Sequence, residues 1–250
     1  MYAVIFSAGL GTRLKPLTDT MPKALVPLGG KSLLQWQVEK LCDAGINDII
    51  VNVHHFPDMI IDTIRENKGW STNITISDER DQLLDTGGGL RKIINEKLKN
   101  QNEPVLACNV DILSNIDIPA LIARYEETGV SQLVVSDRRT QRYLLFDENQ
   151  MLRGWTNITT GETKPADLQT PITHLTPLAF SGMQILSPEA LELLNEMTEE
   201  KFSLIPFYLQ IMNRVPLQAY IPTDYKMMDV GKIDQIEQAK SFAESLNSKK

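Results

Sequence analysis

Ser7 to Leu33, SAGLGTRLKPLTDTMPKALVPLGGKSL, gathers the residue types that hold phosphate. Gly9 and Gly11 allow backbone N–H groups to turn toward an anion with no Cβ in the way. Arg13 and Lys23 add fixed cations that can face phosphate oxygens. Pro16 and Pro22 stiffen a loop too long to be a tight turn. The stretch follows MYAVIFSA, an apolar run that reads as a buried strand.

Spacing excludes the two common phosphate loops. A dinucleotide-binding turn needs glycine at its first, third and sixth positions, and an acidic residue further on. Gly9 and Gly11 fit, but Leu14 stands at the sixth position, where glycine lets helix and strand pack closely. That argues against a dehydrogenase. GGKS, ending at Ser32, resembles the end of a Walker A loop, but the glycine required five residues before Gly30 is Leu25. The anion bound here calls for a different reaction.

Other candidates lie downstream. Asp111 closes the apolar run PVLACNVD, at the carboxyl edge where open α/β sheets bind ligands. Asp229 ends a second strand-like segment, YKMMDV. Asp85 precedes Thr86 and the glycines 87–89, which open the helical pattern GGLRKIINEKL. His54 and His55 are adjacent but lack zinc-ligand spacing. Cys42 and Cys108 sit in apolar sequence and are expected to be buried, reduced thiols.

Strand-like and helix-like segments alternate through the first half: YAVIFS, then Ser32 to Ala44, DIIVNV, PDMIIDTIREN, NITIS, the glycine-led helix, PVLACNVD, IPALIARYEET and SQLVVS. Alternation with short connections implies a mostly parallel sheet covered on both faces. After about residue 140 the rhythm changes. RYLLFDENQMLRGW reads as a hairpin around Asp147 to Gln150, and HLTPLAFSGMQIL as a strand. PEALELLNEM and SLIPFYLQIMN read as helices, LQAYI and YKMMDV as short strands, and Ile233 to Leu246 as an amphipathic terminal helix. Thr156 to Thr173 reads as a polar loop. The expected fold is α/β and Rossmann-like: a mostly parallel mixed sheet flanked by helices, with a smaller antiparallel lobe.

The 250 residues are 42% hydrophobic and 23% charged, which is ordinary for a globular chain with a substantial core. A net charge of −7 argues against a nucleic acid partner, which needs a basic face. No run of about 20 apolar residues suggests a membrane span, and no leader pattern is visible. The expected setting is the cytoplasm, with small-molecule partners and no membrane; a monomer is favoured, with the oligomeric state left open.

SAGLGTRLKPLTDTMPKALVPLGGKSLLQW resembles the signature of the sugar-1-phosphate nucleotidyltransferases, through Gly-x-Gly-Thr-Arg, Pro-Leu-Thr and Pro-Lys. LLDTGGGL, LACNVD and MMDVGK extend the likeness over nearly the whole chain. The resemblance implies that a sugar 1-phosphate attacks the α-phosphorus of a nucleoside triphosphate, releasing pyrophosphate. It implies one domain over residues 1–250, with a nucleotide core (1–140), a sugar-side lobe (141–225) and a closing stretch (226–250) that carries Asp229.

Site roles follow from the same resemblance. Ala8, Gly9, Gly11 and Thr12 would bind the nucleotide, with Arg13 on the leaving pyrophosphate. Lys23 would bridge the α-phosphate and the attacking sugar phosphate. Asp111 and Asp229 would hold Mg²⁺, which takes one or two carboxylates and completes its shell with phosphate and water. Arg13, Lys23 and Asp111 form the catalytic set. Asp85, Thr86, Gly87 and Gly88 would meet the base, while Asn109, Ser181, Gly182 and Lys164 would line the sugar side.

The Thr-Gly-Gly-Gly turn resembles the uridylyltransferase branch, implying UTP with N-acetylmuramate 1-phosphate or a related hexose 1-phosphate. A GTP-dependent enzyme acting on mannose or heptose 1-phosphate is the alternative. A non-catalytic nucleotide-sugar sensor is the second, although it could dispense with Lys23 and the aspartates that are present here. Val110 replaces the usual glycine before the aspartate, Thr163 separates Glu162 from Lys164, and Lys232 stands where threonine is common. These departures touch the sugar, not the reaction.

Overall fold

A computed structural model describes residues 1–99 and 102–247. The last three residues of the closing stretch 226–250 therefore lie outside the described residues. The first half contains strands β1 (Tyr2–Phe6), β2 (Pro27–Leu28), β3 (Lys31–Ser32), β4 (Asp48–Val53), β5 (Asn73–Asp78), β6 (Val105–Asn109), β7 (Ile112–Ser114) and β8 (Ser131–Ser136). Interleaved with them are α1 (Leu33–Asp43), α2 (Pro57–Glu66), α3 (Asp85–Glu96) and α4 (Ile118–Thr128). The second half adds β9 (Arg142–Phe146), β10 (Leu152–Asn157), β11 (Glu162–Lys164), β12 (Thr176–Leu186), β13 (Leu217–Tyr220) and β14 (Met227–Asp229). Its helices are α5 (Pro188–Glu192), α6 (Leu204–Ile211) and α7 (Ile236–Asn247).

Alternating side chains of the apolar strands explain the layers. Ala3 and Ile5 of β1 face one way, onto Leu34, Val38 and Leu41 of α1, Ile60 of α2 and Ala239 of α7. Val4 and Phe6 face the other, onto Leu90 and Ile93 of α3 and Phe207 of α6. A strand covered on both faces needs apolar residues at every position, and β1 has them. Helix starts are set locally. The Ser32 hydroxyl accepts the Gln35 N–H at 3.1 Å, and the Asp117 carboxylate accepts the Ala120 N–H at 2.9 Å. Each such cap contributes about 1 kcal/mol.

Among the described residues the main sheet has ten strands, along the path β11-β10-β9-β12-β6-β1-β4-β5, with β8 on β12 and β13 on β8. It is parallel through β6-β1-β4-β5 and antiparallel from β12 outward to β11. This is the α/β arrangement expected from the alternation. β12 joins the halves: Met183 to Leu186 pair with β6, and Thr176 to Leu178 pair with β9. Register aligns the strand ends, since Phe6 lies level with Asn52 on one side and Asn109 on the other. The residues that follow these three positions open onto one edge. Among the described residues no helix is long and apolar enough to cross a membrane.

Four local expectations change. The polar stretch from Thr156 contains a strand, β11, paired with β10 through Trp155 and Lys164, and a 3₁₀ turn at Ile172–His174. β11 escapes sequence reading because it is an edge strand whose Glu162 and Lys164 face solvent, so no apolar alternation marks it. Asp111 leads into a short strand, β7, that pairs with β14. PEALELLNEM is α-helical only to Glu192 and continues as a 3₁₀ turn. Cys42 is half-buried, its Sγ 3.6 Å from the Asn47 side-chain oxygen, whereas Cys108 is buried and its thiol is pushed up to about 12 by that burial.

Candidate active site

The loops after β1, β5 and β6, with Asn52 at the end of β4, enclose a cleft of about 450 Å³. Ala8, Gly9, Gly11, Thr12, Arg13, Lys23, Asp85, Thr86, Asn109 and Asp111 line it, all singled out in the sequence. Phe6, Ser7, Leu10, Asn52, Leu83, Val110, Lys201 and Gly231 line it as well.

The glycine loop leaves β1 and tightens into a 3₁₀ turn at Thr12–Leu14, where Leu14 is fully buried. The side chain that breaks the dinucleotide pattern is therefore the anchor of the loop. A buried polar chain braces its start. The Ser7 N–H donates to Asn52 Oδ1 at 2.7 Å, Asn52 Nδ2 to Glu79 Oε1 at 2.8 Å, and the Leu84 N–H to Glu79 Oε2 at 3.3 Å. Glu79 is 2% exposed, and burial raises its carboxyl above the ordinary range. This chain ties the ends of β1, β4 and β5 together, and sequence reasoning missed it. The one available signal was a set of polar residues immediately after apolar strands.

Lys23 opens a 3₁₀ turn after Pro22, is only 7% exposed, and forms an ion pair with Asp111. Asp111 sits in the β6–β7 turn, and its carbonyl accepts the Val230 N–H at 2.9 Å. The β7–β14 pairing places Asp229 level with Ile112, so the carboxylates of Asp111 and Asp229 share one neighbourhood. The Asp229 carboxyl is raised, first by burial and then by the negative charge of Asp111; Lys23, Arg13 and Arg138 oppose the shift. Arg13 reaches the same place. A Cβ on Gly231 would lie 2.7 Å from Asp229 Oδ1 and 3.0 Å from Arg13 Nη2.

Asp85, Thr86 and Leu83 line the opposite, β5 side of the cleft. Gly87 and Gly88 do not line it; they are buried in the first turn of α3, against residues 200–202. A Cβ on Gly87 would come within 2.4 Å of the Phe202 ring, and one on Gly88 within 2.3 Å of the Glu200 carbonyl oxygen. Close packing of this loop therefore requires both glycines. Alanine at 88 normally favours a helix by about 1 kcal/mol. Here the overlap with backbone outweighs that gain, and Gly88→Ala is expected to destabilise by about 1–3 kcal/mol. Equal denaturant midpoints for the two proteins would contradict the packing role.

Lys164 lies on the edge strand, outside the lining, 3.2 Å from Glu162 and 5.5 Å above the Trp155 ring. Gly182 is also outside it and backs Asn109, whose Nδ2 a Cβ there would approach to 3.0 Å. Ser181 is buried beside it, in the irregular part of β12. A second cavity, about 390 Å³, is lined by Trp36, Lys40, Leu113 and Leu246 among others and holds none of the sequence candidates. Burial there lowers Lys40 to about 7.

The glycine loop, the cations Arg13, Lys23 and Lys201, and the carboxylates Asp85 and Asp111 thus line one open volume, with Asp229 outside the lining but beside Asp111, an arrangement suited to aligning polyanions. The chain matches the family model described as nucleotidyl transferase over residues 2–245. N-acetylmuramate alpha-1-phosphate uridylyltransferase of Caulobacter vibrioides is 29% identical over 84% of this chain and 83% of its own length. Mannose-1-phosphate guanyltransferase of Saccharomyces cerevisiae is 33% identical over 55% of this chain, which spans only 38% of that protein. Among solved structures, a UDP-glucose pyrophosphorylase from Acinetobacter baumanii superimposes with a TM-score of 0.75 at 18% identity, covering 100% of this chain and 99% of that one.

Proposed function

As the chain belongs to the nucleotidyl transferase family, we propose that it transfers a nucleoside monophosphate from a nucleoside triphosphate to a sugar 1-phosphate, releasing pyrophosphate. The observation that carries this reading is the convergence of Arg13, Lys23, Asp111 and Asp229 on a glycine loop. Two polyanions must meet for such a transfer, so catalysis is mainly charge neutralisation and in-line positioning. Lys23 neutralises charge between the α-phosphate and the incoming sugar phosphate. Arg13 and the N–H groups of Gly9 to Thr12 hold the part that leaves as pyrophosphate. Asn109, backed by Gly182, faces the sugar side, and buried Val110 narrows it.

The donor set fits Mg²⁺. Asp111 and Asp229 are neighbouring carboxylates; burial and then the charge of Asp111 raise the Asp229 carboxyl, and a divalent cation would offset both. No cluster of three or more ligating side chains exists among the described residues, which suits an ion that completes its shell with phosphate and water. When bound by these two residues, the ion would supply Lewis-acid neutralisation of phosphate charge. The proposal extends to a protein acting in the cytoplasm.

The preferred pair is UTP with an N-acetylated hexose 1-phosphate such as N-acetylmuramate 1-phosphate, in keeping with the Caulobacter relative. Pyrophosphate release from each triphosphate with a panel of sugar 1-phosphates tests it. UTP with N-acetylmuramate 1-phosphate should give the highest kcat/KM. A maximum for GTP with mannose 1-phosphate would move the protein to the guanylyl branch, and release with no pair would end the transfer reading.

A further inference from the structure

The buried glycines of α3 form a platform, and the loop seated on it carries an unused cation into the cleft. Phe202 O accepts the N–H groups of Gly87 at 2.8 Å and Gly88 at 3.1 Å, while Leu84 O accepts the Phe202 N–H at 3.2 Å. Arg91 donates to the carbonyls of Met197 at 2.7 Å and Glu199 at 2.8 Å, and its guanidinium lies 5.0 Å over the Phe202 ring. Thr86 Oγ1 accepts the Leu204 N–H at 3.1 Å, fixing the start of α6. The backbone on both sides of Lys201 is therefore pinned, and Lys201 lines the cleft with Asp85, Thr86 and Leu83. Among the described residues Lys201 has no ion pair or hydrogen-bond partner.

We propose that Lys201 and Asp85 together read the base, selecting one that carries a ring carbonyl beside a ring N–H. This rests on the nucleotidyl-transfer reading and adds the basis of base choice to it. An ammonium group can only donate hydrogen bonds and an ionised carboxylate can only accept them. Asp85 Oδ1 is already occupied by the Thr86 N–H at 2.6 Å, which orients the carboxylate and leaves Oδ2 for a ligand. One donor beside one acceptor matches the carbonyl and N–H of uracil or guanine. Cytosine and adenine reverse both groups: an amino group meets the ammonium, and a bare ring nitrogen meets the carboxylate. Polar groups left unpaired in this way are what make base discrimination strong.

The topology separates this pair from the phosphate chemistry. Asp111 follows β6, and Asp85 follows the chain beyond β5, with β1 and β4 between those strands. Lys23, Arg13 and the glycine loop serve the phosphates, so a third, isolated cation on the β5 side is free to serve the base. The triple glycine motif acts indirectly here, as the seat of the loop that delivers Lys201.

Lys201→Met keeps the aliphatic stem of an exposed side chain and removes its charge. Titration calorimetry with UTP, GTP, CTP and ATP in Mg²⁺ compares it with the wild type and with Lys201→Arg. The wild-type protein should bind UTP or GTP at least about tenfold more tightly than CTP and ATP. Lys201→Met should lose most of that gap while binding CTP and ATP as before, and Lys201→Arg should restore part of it. An equal loss of affinity for all four would assign Lys201 to the triphosphate and overturn the proposal, as would an unchanged pattern in Lys201→Met or a wild-type preference for CTP or ATP. If the wild-type protein bound none of the four and released no pyrophosphate, nucleotidyl transfer itself would fail and base reading with it.

Discussion

Replacing Lys23 by methionine is expected to lower kcat by about a hundredfold or more, with a smaller effect on KM. The lysine is nearly enclosed, at 7% exposure, and its ammonium is held against the Asp111 carboxylate. In that position its charge acts with little screening by water, where repulsion between the two substrates is greatest. Methionine preserves the stem but removes the charge. The variant also leaves Asp111 beside Asp229 without its counter-ion, a cost to folding of about 1–3 kcal/mol. That is below the cost for a fully buried pair, because the Asp111 side chain is 20% exposed. Single-turnover rates at saturating triphosphate, with a denaturation curve as control, separate the two effects. A near-normal kcat with a raised KM would assign Lys23 to ground-state binding alone.

Chelation of divalent cations is expected to abolish turnover, and Asp111→Asn to reduce it by about a hundredfold or more while the chain stays folded. The two aspartates come from separate segments and are brought together by the β7–β14 ladder. Neither has a third acidic, histidine or cysteine neighbour positioned to complete a protein-only cage among the described residues. A metal held here depends on substrate phosphate for its remaining ligands, so removal of either carboxylate should cost most of the binding. Full pyrophosphate release in excess EDTA would sink the two-carboxylate reading.

Much of the site was legible because its residues are unusual for their local structure. Gly9, Gly11 and Arg13 follow a strand with no space for polar chemistry, and Asp111 ends an apolar run. Such departures from the local pattern point to ligands. Lys201 was not legible, since a lysine in a polar stretch such as TEEKFS looks like any solvated surface residue. Glu79 was equally hidden within SDERD, where four of five residues are charged and only the fold distinguishes the one that is buried.

By itself, the sequence determined the alternation of strands and helices, the two-sided burial of β1 and the phosphate-binding character of the opening loop. These are local properties, set by side-chain period, by capping at Ser32 and Asp117, and by the freedom of two glycines. Only the tertiary structure decided which residues of the glycine turn face the ligand. Asp85 and Thr86 open onto the cleft, whereas Gly87 and Gly88 turn away to seat residues 200–202. It also decided that Asp229, 118 residues beyond Asp111 in the numbering, shares its electrostatic environment. Both outcomes depend on pairing and packing between segments far apart in the chain. Local propensity is blind to such contacts, because their energy comes from surfaces that meet only once the sheet has closed around them.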